Sequence, residues 1–525
     1  MSGMFEPKTD GASRRLARTQ KEEQARRKSR IIVVSVVTAL AILFAGALFI
    51  NSKYIRRTFT ALTIEGVNFT TVDFEYFYNM EYQDYRNLIS QFQGMGGALP
   101  DEGRPFSSQI YNSQTGETWA DFFESLTLRR MSRMVQYYNA AKAAGFTLPD
   151  ERRAEIEYEM SGYRMDAERY GFPSLDSLLQ RFFGNSINEQ SLRKNLEFVF
   201  TAEAYGDHVR ESFVYDRAQL DAKYASNKDD FDVFSFRMLF IDIEPVDIFN
   251  FETAEEYSEA MENQDKAAYE KALELAAQIT DEESFIEIAE QYDDIAYARA
   301  ESTLRFAQGE RLEDHYKNWM LNPSRTEGEV EVFETEQGSY IIYFIYRDDN
   351  DYYMTGMRQI LVVREAVNPG DYADGEDDPE YLFAFDFAEA EAKERAEAVW
   401  DLFTAGGSTE DALLALMEEH SDDTTEGGFY ENISKFTYQT YSKYAMKVVP
   451  EIEDWLFDSS RQIGDAELVY TEAYGYHLLF FTGYGERFNS FIADDRLRSD
   501  DFTAWNDSFP DIEAVRKWAY VLIQL

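Results

Sequence analysis

Residues 328–344 read GEVEVFETEQGSYIIYF, and residues 464–481 read GDAELVYTEAYGYHLLFF. The chain carries one ending twice, with a single residue inserted in the second copy. A repeat of this size constrains the fold to one small domain used twice in tandem, each closed by a hairpin. The copies differ at one informative position. His477 stands in the second where Tyr340 stands in the first.

At 525 residues the chain has room for three or four domains. An apolar fraction of 44% supplies several cores and excludes a disordered chain. The 41 Phe, 35 Tyr and 6 Trp fit either large cores or an aromatic surface for extended polypeptide. There is no cysteine, which removes disulfides, thiol nucleophiles and thiolate metal sites.

Residues 31–50, IIVVSVVTALAILFAGALFI, carry no charge. As a helix they would reach roughly 30 Å, the thickness of a bilayer core. This predicts an uncleaved transmembrane signal-anchor. Residues 1–30 hold nine Lys/Arg and four Asp/Glu, so the basic tail is expected in the cytoplasm and the bulk outside a bacterial cell membrane. The whole chain is at −47, which excludes nucleic acid as a main partner. The acidity suits either solubility or attraction of cationic segments.

Beyond residue 58, a short extended stretch turns at Gly66 and reaches Thr71, a helix N-cap. Residues 92–118 read as a loop. Helical spacing dominates from 119, with Gly145 as a stop and capping signatures at 147–150 and 186–189. Two successions of strand, helices and hairpin follow, at 234–350 and 351–485. Residues 366–380 form an acidic loop. In 511–525, Ile512, Val515, Trp518, Ala519 and Leu522 share a helical face, so a C-terminal helix docked on the helical module is expected.

Three phrases, AKAAGFTLPDERRAEIE (141–157), FFGNSINEQSLRKNLE (182–197) and YDRAQLDAKYASNKDDFD (215–232), resemble the N-terminal helical module of SurA- and PrsA-type extracytoplasmic chaperones. RQILVV, EHSDDTTEGG, VPEIEDWLFD and the closing hairpin with Gly-Tyr-His resemble a parvulin-type (PpiC) peptidyl-prolyl isomerase. That resemblance covers about 352–485 well and about 234–348 loosely.

The fold class it implies is α+β: a single transmembrane helix, a SurA-like helical module, two tandem parvulin-like α+β domains and a C-terminal helix. The divisions expected are a tail over 1–30, the anchor over 31–50, the module over 58–233, a degenerate copy over 234–350, an isomerase copy over 351–485 and a C-terminal acidic loop and helix over 486–525.

The family's chemistry needs no cofactor or metal. Rotation about an X-Pro bond faces a barrier of about 18–20 kcal/mol. A pocket lowers it by binding the twisted amide better than the planar one. Carried over by resemblance, His477 is the second core histidine and Asp423 lies beside the amide. Gln359 occupies the first histidine position, where the family pattern is broken, yet an amide can still bond His477. Met446 or Val448, together with Ile452, would form the proline slot. Phe429, after the paired glycines, is expected to bind substrate as well, in a phrase that departs from the family's Gly-Asp-Leu-Gly.

In the first copy Met238 and Tyr340 replace both histidines, so only the second is expected to act as an isomerase. The function implied is a foldase or chaperone for unfolded exported polypeptides. A peptide-binding chaperone or an envelope scaffold without catalysis is the alternative. The acidic loop carries no Lys or Arg, so no phosphopeptide preference is expected.

Overall fold

The computed structural model describes residues 30–525 except 31–32, 45, 47–48, 51, 92–97, 293–299, 436–447 and 524–525. It divides into two compact units. One comprises Met1–Phe213 with Asp501–Leu525, and the other Val214–Asp500.

The membrane reading is corrected. Among the described residues no helix is long and apolar enough to cross a membrane. The transmembrane signal-anchor, the membrane as a partner and the single-pass localisation therefore do not stand. The basic tail over 1–29 lies outside the described residues.

In the first unit, strands β1 (Thr60–Ile64) and β2 (Val67–Thr70) form a hairpin ahead of the helix Thr71–Gln91. The stretch expected as a loop holds a small hairpin of β3 (Ile110–Asn112) and β4 (Glu117–Thr118). Its last residue, Thr118, makes a capping box with Asp121 and starts the helix Trp119–Ala144. The helices Asp150–Arg169, Leu175–Phe183 and Glu189–Ser212 complete the module. Phe74, Phe77, Phe123, Met131 and Leu192 are fully buried between them. Many of the aromatic residues are therefore core.

The second unit holds two four-stranded antiparallel sheets of the same topology. The first runs β6–β5–β8–β7, with β5 Val233–Asp242, β6 Leu304–Gln308, β7 Val330–Thr335 and β8 Gly338–Asp348. The second runs β10–β9–β12–β11, with β9 Tyr353–Val363, β10 Phe429–Ile433, β11 Ala466–Thr471 and β12 Gly475–Arg487. The repeated phrases are the β7–β8 and β11–β12 hairpins, and the inserted residue falls in the turn of the second.

Each sheet buries both faces. In the second, Ile360, Val362, Leu478 and Phe480 pack under the helices Pro379–Ala405 and Glu410–His420. Met357, Leu479 and Phe481 pack on the other face under the helix Pro450–Leu456. One arginine per copy ties sheet to helix: Arg237 Nε donates to Glu282 at 2.8 Å, and Arg358 Nε to Glu410 at 2.5 Å.

The chain continues as a helix, Phe488–Asp507, where an acidic loop was expected. Phe488, Ile492 and Ala493 pack on Tyr224, Phe231 and Met354. That i, i+4, i+5 stripe is helical, and the surrounding aspartates obscure it.

The expected helix over 511–525 is instead strand β13 (Val515–Arg516) and a 3-10 turn, Trp518–Leu522. β13 pairs with the edge of β1, which offers backbone groups that a helix could not satisfy. Arg56, buried and paired with Glu75 at 2.7 Å, also donates to the carbonyl of Leu522.

Candidate active site

Alternation along β9 sends Gln359 to the face opposite Arg358 and Ile360. Register places His477 opposite Leu361 and Leu479 opposite Gln359, so His477 and Gln359 are diagonal neighbours on one face. Thr471 is the diagonal neighbour of His477 on the far side, because β11 pairs Val469 with His477 and Thr471 with Gly475.

These side chains form one connected chain of hydrogen bonds. Gln359 Nε2 donates to Asp423 Oδ2 at 2.7 Å. Its Oε1 is left to accept from His477 Nδ1 at 2.9 Å. His477 is thus the Nδ1–H tautomer, and its Nε2 accepts from Thr471 Oγ1 at 2.9 Å. Tyr430 donates to the same Asp423 oxygen at 2.6 Å, and its own oxygen accepts from Thr425 Oγ1 at 2.8 Å. The Thr425 amide donates to the other Asp423 oxygen at 2.9 Å.

The electrostatics agree with this arrangement. His477 is 3% exposed, and burial pushes its pKa down to about 4, partly opposed by the charge of Asp423. It is neutral near pH 7. Burial pushes the Asp423 carboxyl up, but the bonds from Tyr430, the Thr425 amide and Gln359 outweigh it and hold the carboxyl below its usual range. Burial, then the bond to Asp423, raises the Tyr430 phenol. The site therefore holds one carboxylate fixed by donors and one neutral imidazole.

Backbone geometry sets these positions. The segment 421–423 is strapped along β9: the Asp422 amide donates to Leu361 O at 2.8 Å, and the Leu361 amide to Ser421 Oγ at 3.2 Å. Gly428 sits at φ +50°, and a Cβ there would lie 2.3 Å from the Gln359 carbonyl oxygen. The second of the paired glycines is thus needed for β10 to approach β9.

The first copy aligns by register, with Met238 opposite Ile342 and Tyr340 opposite Phe240. Among the described residues it has no such chain. Met238 cannot bridge two polar groups, Tyr340 stacks on His315 at 4.8 Å, and Thr335 Oγ1 donates to Gly338 O at 2.9 Å.

Of the residues singled out from sequence, His477, Gln359 and Asp423 are brought together. Phe429 is not: it is 38% exposed on the opposite face, under the Arg358 guanidinium at 4.6 Å. Ile452 is buried in the core of that domain, with Val448 half-buried beside it. Met446 lies outside the described residues. Tyr430, Thr471, Thr425 and Ser421 were missed. Thr471 had a signal, since both hairpins carry a threonine before the turn, at 335 and 471.

Comparison with known proteins bears on this arrangement. Residues 223–346 match the model of the PPIC-type PPIase domain. The matched stretch is similar to a peptidyl-prolyl isomerase domain. The solved structures the chain resembles are those of PrsA and of SurA-like chaperones. The match falls on the first copy, the one whose resemblance was expected to be looser.

Among solved structures, the peptidylprolyl isomerase PrsA of Bacillus anthracis is 11% identical, covering 50% of this chain and 97% of that one, with a TM-score of 0.22. A structure from Campylobacter jejuni, described with PEB4 and Cj1289 as SurA-like chaperones, is 14% identical, covering 38% and 71%, at 0.15. PrsA of Bacillus subtilis is 13% identical, covering 46% and 78%, at 0.14. TM-scores this low carry no inference about function. No curated protein matches the chain.

Proposed function

We propose that the protein is a foldase that binds unfolded polypeptides and isomerises X-Pro bonds in its second copy. The reading is carried by the connected chain Thr471–His477–Gln359–Asp423–Tyr430. In the planar amide, resonance places negative charge on the carbonyl oxygen. A carboxylate held beside that oxygen opposes the planar form and favours the twisted one, which is differential binding of the transition state. Asp423 supplies the charge. Tyr430 and Gln359 keep it ionised and fixed, while His477 and Thr471 orient Gln359. The sheet face of Leu479 and Phe481 beneath the helix Pro450–Leu456 supplies apolar surroundings.

The first copy, with Met238 and Tyr340 at the two equivalent positions, serves binding or architecture. Those two residues favour a second reading, in which both copies bind polypeptide and neither turns it over. A proline-peptide exchange assay on the full chain separates the two. Acceleration lost in Asp423→Ala supports catalysis. Suppressed client aggregation without acceleration supports binding alone.

A further inference from the structure

The helix Pro379–Ala405 buries Ala392, Ala396, Val399 and Phe403 under the second sheet. Its first half leaves Phe383 and Phe387 73% and 57% exposed. They are one helical turn apart and share a face. The same face continues through Glu391, Glu394 and Ala398 along an open groove of about 900 Å³ whose opposite side includes Val363, Glu365 and Asp422.

The groove has a marked imbalance of charge. Its one cation among the described residues, Arg395, already donates to the carbonyl of Val363 at 2.7 Å and lies 3.8 Å from Asp422. Among the described residues Glu365, Glu391 and Glu394 form no ion pair.

The fold does not demand the phenylalanines. Counting back from Glu282 and Glu410, the equivalent ion-paired residues, Phe383 and Phe387 correspond to Glu255 and Glu259 of the first copy, both exposed. An exposed aromatic pair whose counterparts in the first copy are both glutamates marks a contact surface.

We propose that this groove, together with the adjoining Phe383/Phe387 face of the helix, binds extended polypeptide segments in which Lys or Arg accompanies large apolar side chains. The apolar part covers Phe383 and Phe387, and the cations answer Glu365, Glu391 and Glu394. A second copy of the chain would bring the same carboxylates against themselves, and an anionic lipid surface would be repelled. The inference rests on the reading that the protein binds polypeptide clients, and it does not require isomerisation. It also ties the groove to the candidate active site. Asp422 lines the groove while the next residue, Asp423, belongs to the hydrogen-bonded chain.

The test uses the full chain and a fluorescein-labelled, proline-free peptide of alternating Lys and Leu, with a Glu/Leu peptide as control. Saturable binding of the Lys/Leu peptide is expected, weakened at least tenfold in F383S/F387S and in E391K/E394K. Both variants keep prolyl exchange unchanged, and Asp423→Ala keeps peptide affinity unchanged. Equal affinity in all variants, equal binding of the Glu/Leu peptide, or no binding overturns the proposal. A dimer lost in F383S/F387S at unchanged peptide affinity would assign the face to a second copy. Loss of sedimentation with neutral phosphatidylcholine vesicles, again at unchanged peptide affinity, would assign it to lipid. Either result also overturns the proposal.

Discussion

His477 Nδ1–H donates to Gln359 Oε1 at 2.9 Å across neighbouring strands. That bond fixes the amide, and the amide then has only its Nε2 to offer Asp423. A glutamine thus does what a neutral imidazole could do in the same place: it accepts on one side and donates on the other.

Gln359→Leu keeps the approximate volume and removes both bonds. It leaves a buried His477 N–H without a partner and takes a donor from Asp423. A loss of about 1–3 kcal/mol is expected in urea unfolding followed by a probe in the 214–500 unit. Unchanged stability would show that the amide is not the bridge.

The His477 pKa of about 4 sets a pH dependence. The folded value lies below the unfolded one of about 6.5, so the unfolded chain binds the proton more tightly. The stabilisation is complete above about pH 6.5 and is lost as pH falls to about 4, amounting to at most about 3 kcal/mol. Imidazole carbon NMR can follow this directly, because the chain has four histidines. A His477 midpoint near 6.5 would contradict the neutral buried tautomer.

Tyr430→Phe deletes the phenol that donates to Asp423 at 2.6 Å. The Asp423 carboxyl should titrate at higher pH, with about 1 kcal/mol of stability lost. Carboxyl carbon NMR of the variant against the parent measures the shift. No upward movement would remove Tyr430 from the site.

Gly428→Ala places a Cβ 2.3 Å from the Gln359 carbonyl in a left-handed backbone. Gly375→Ala places one in open space at a similar φ. The second should cost about 1–2 kcal/mol of backbone strain. The first should cost clearly more and disturb the β9–β10 ladder, visible as faster amide exchange at Gln359. Equal effects would refute the close approach.

Much of this was legible in the sequence, for local reasons. The hairpin repeat, the Thr118–Asp121 start and the Gly145 stop are written in periodicity and capping residues. The repeat was in fact longer than the hairpin. Trp319, Arg325 and Gly328 recur as Trp455, Arg461 and Gly464, and each arginine covers its tryptophan, at 3.7 and 4.1 Å.

What stayed hidden depended on long-range pairing. The facing of Phe429 is set by strand parity, and Tyr430 reached Asp423 only once β10 was laid beside β9. The terminal 511–525 segment shows a helical stripe, but the free edge of β1 decides its structure. Apolar composition over 31–50 was sufficient to suggest a span, but among the described residues no helix is long and apolar enough to make one.

The central claim is that the second copy isomerises X-Pro bonds through this chain of side chains. NMR exchange spectroscopy of a proline peptide, with the full chain present at catalytic amounts, tests it most directly. Accelerated exchange is expected, reduced at least tenfold, about 1.4 kcal/mol, in Asp423→Ala and in His477→Ala, and unaffected by Tyr340→Phe in the first copy. Exchange at the uncatalysed rate with the parent chain, or acceleration that survives Asp423→Ala and vanishes on changing the first copy, would contradict it.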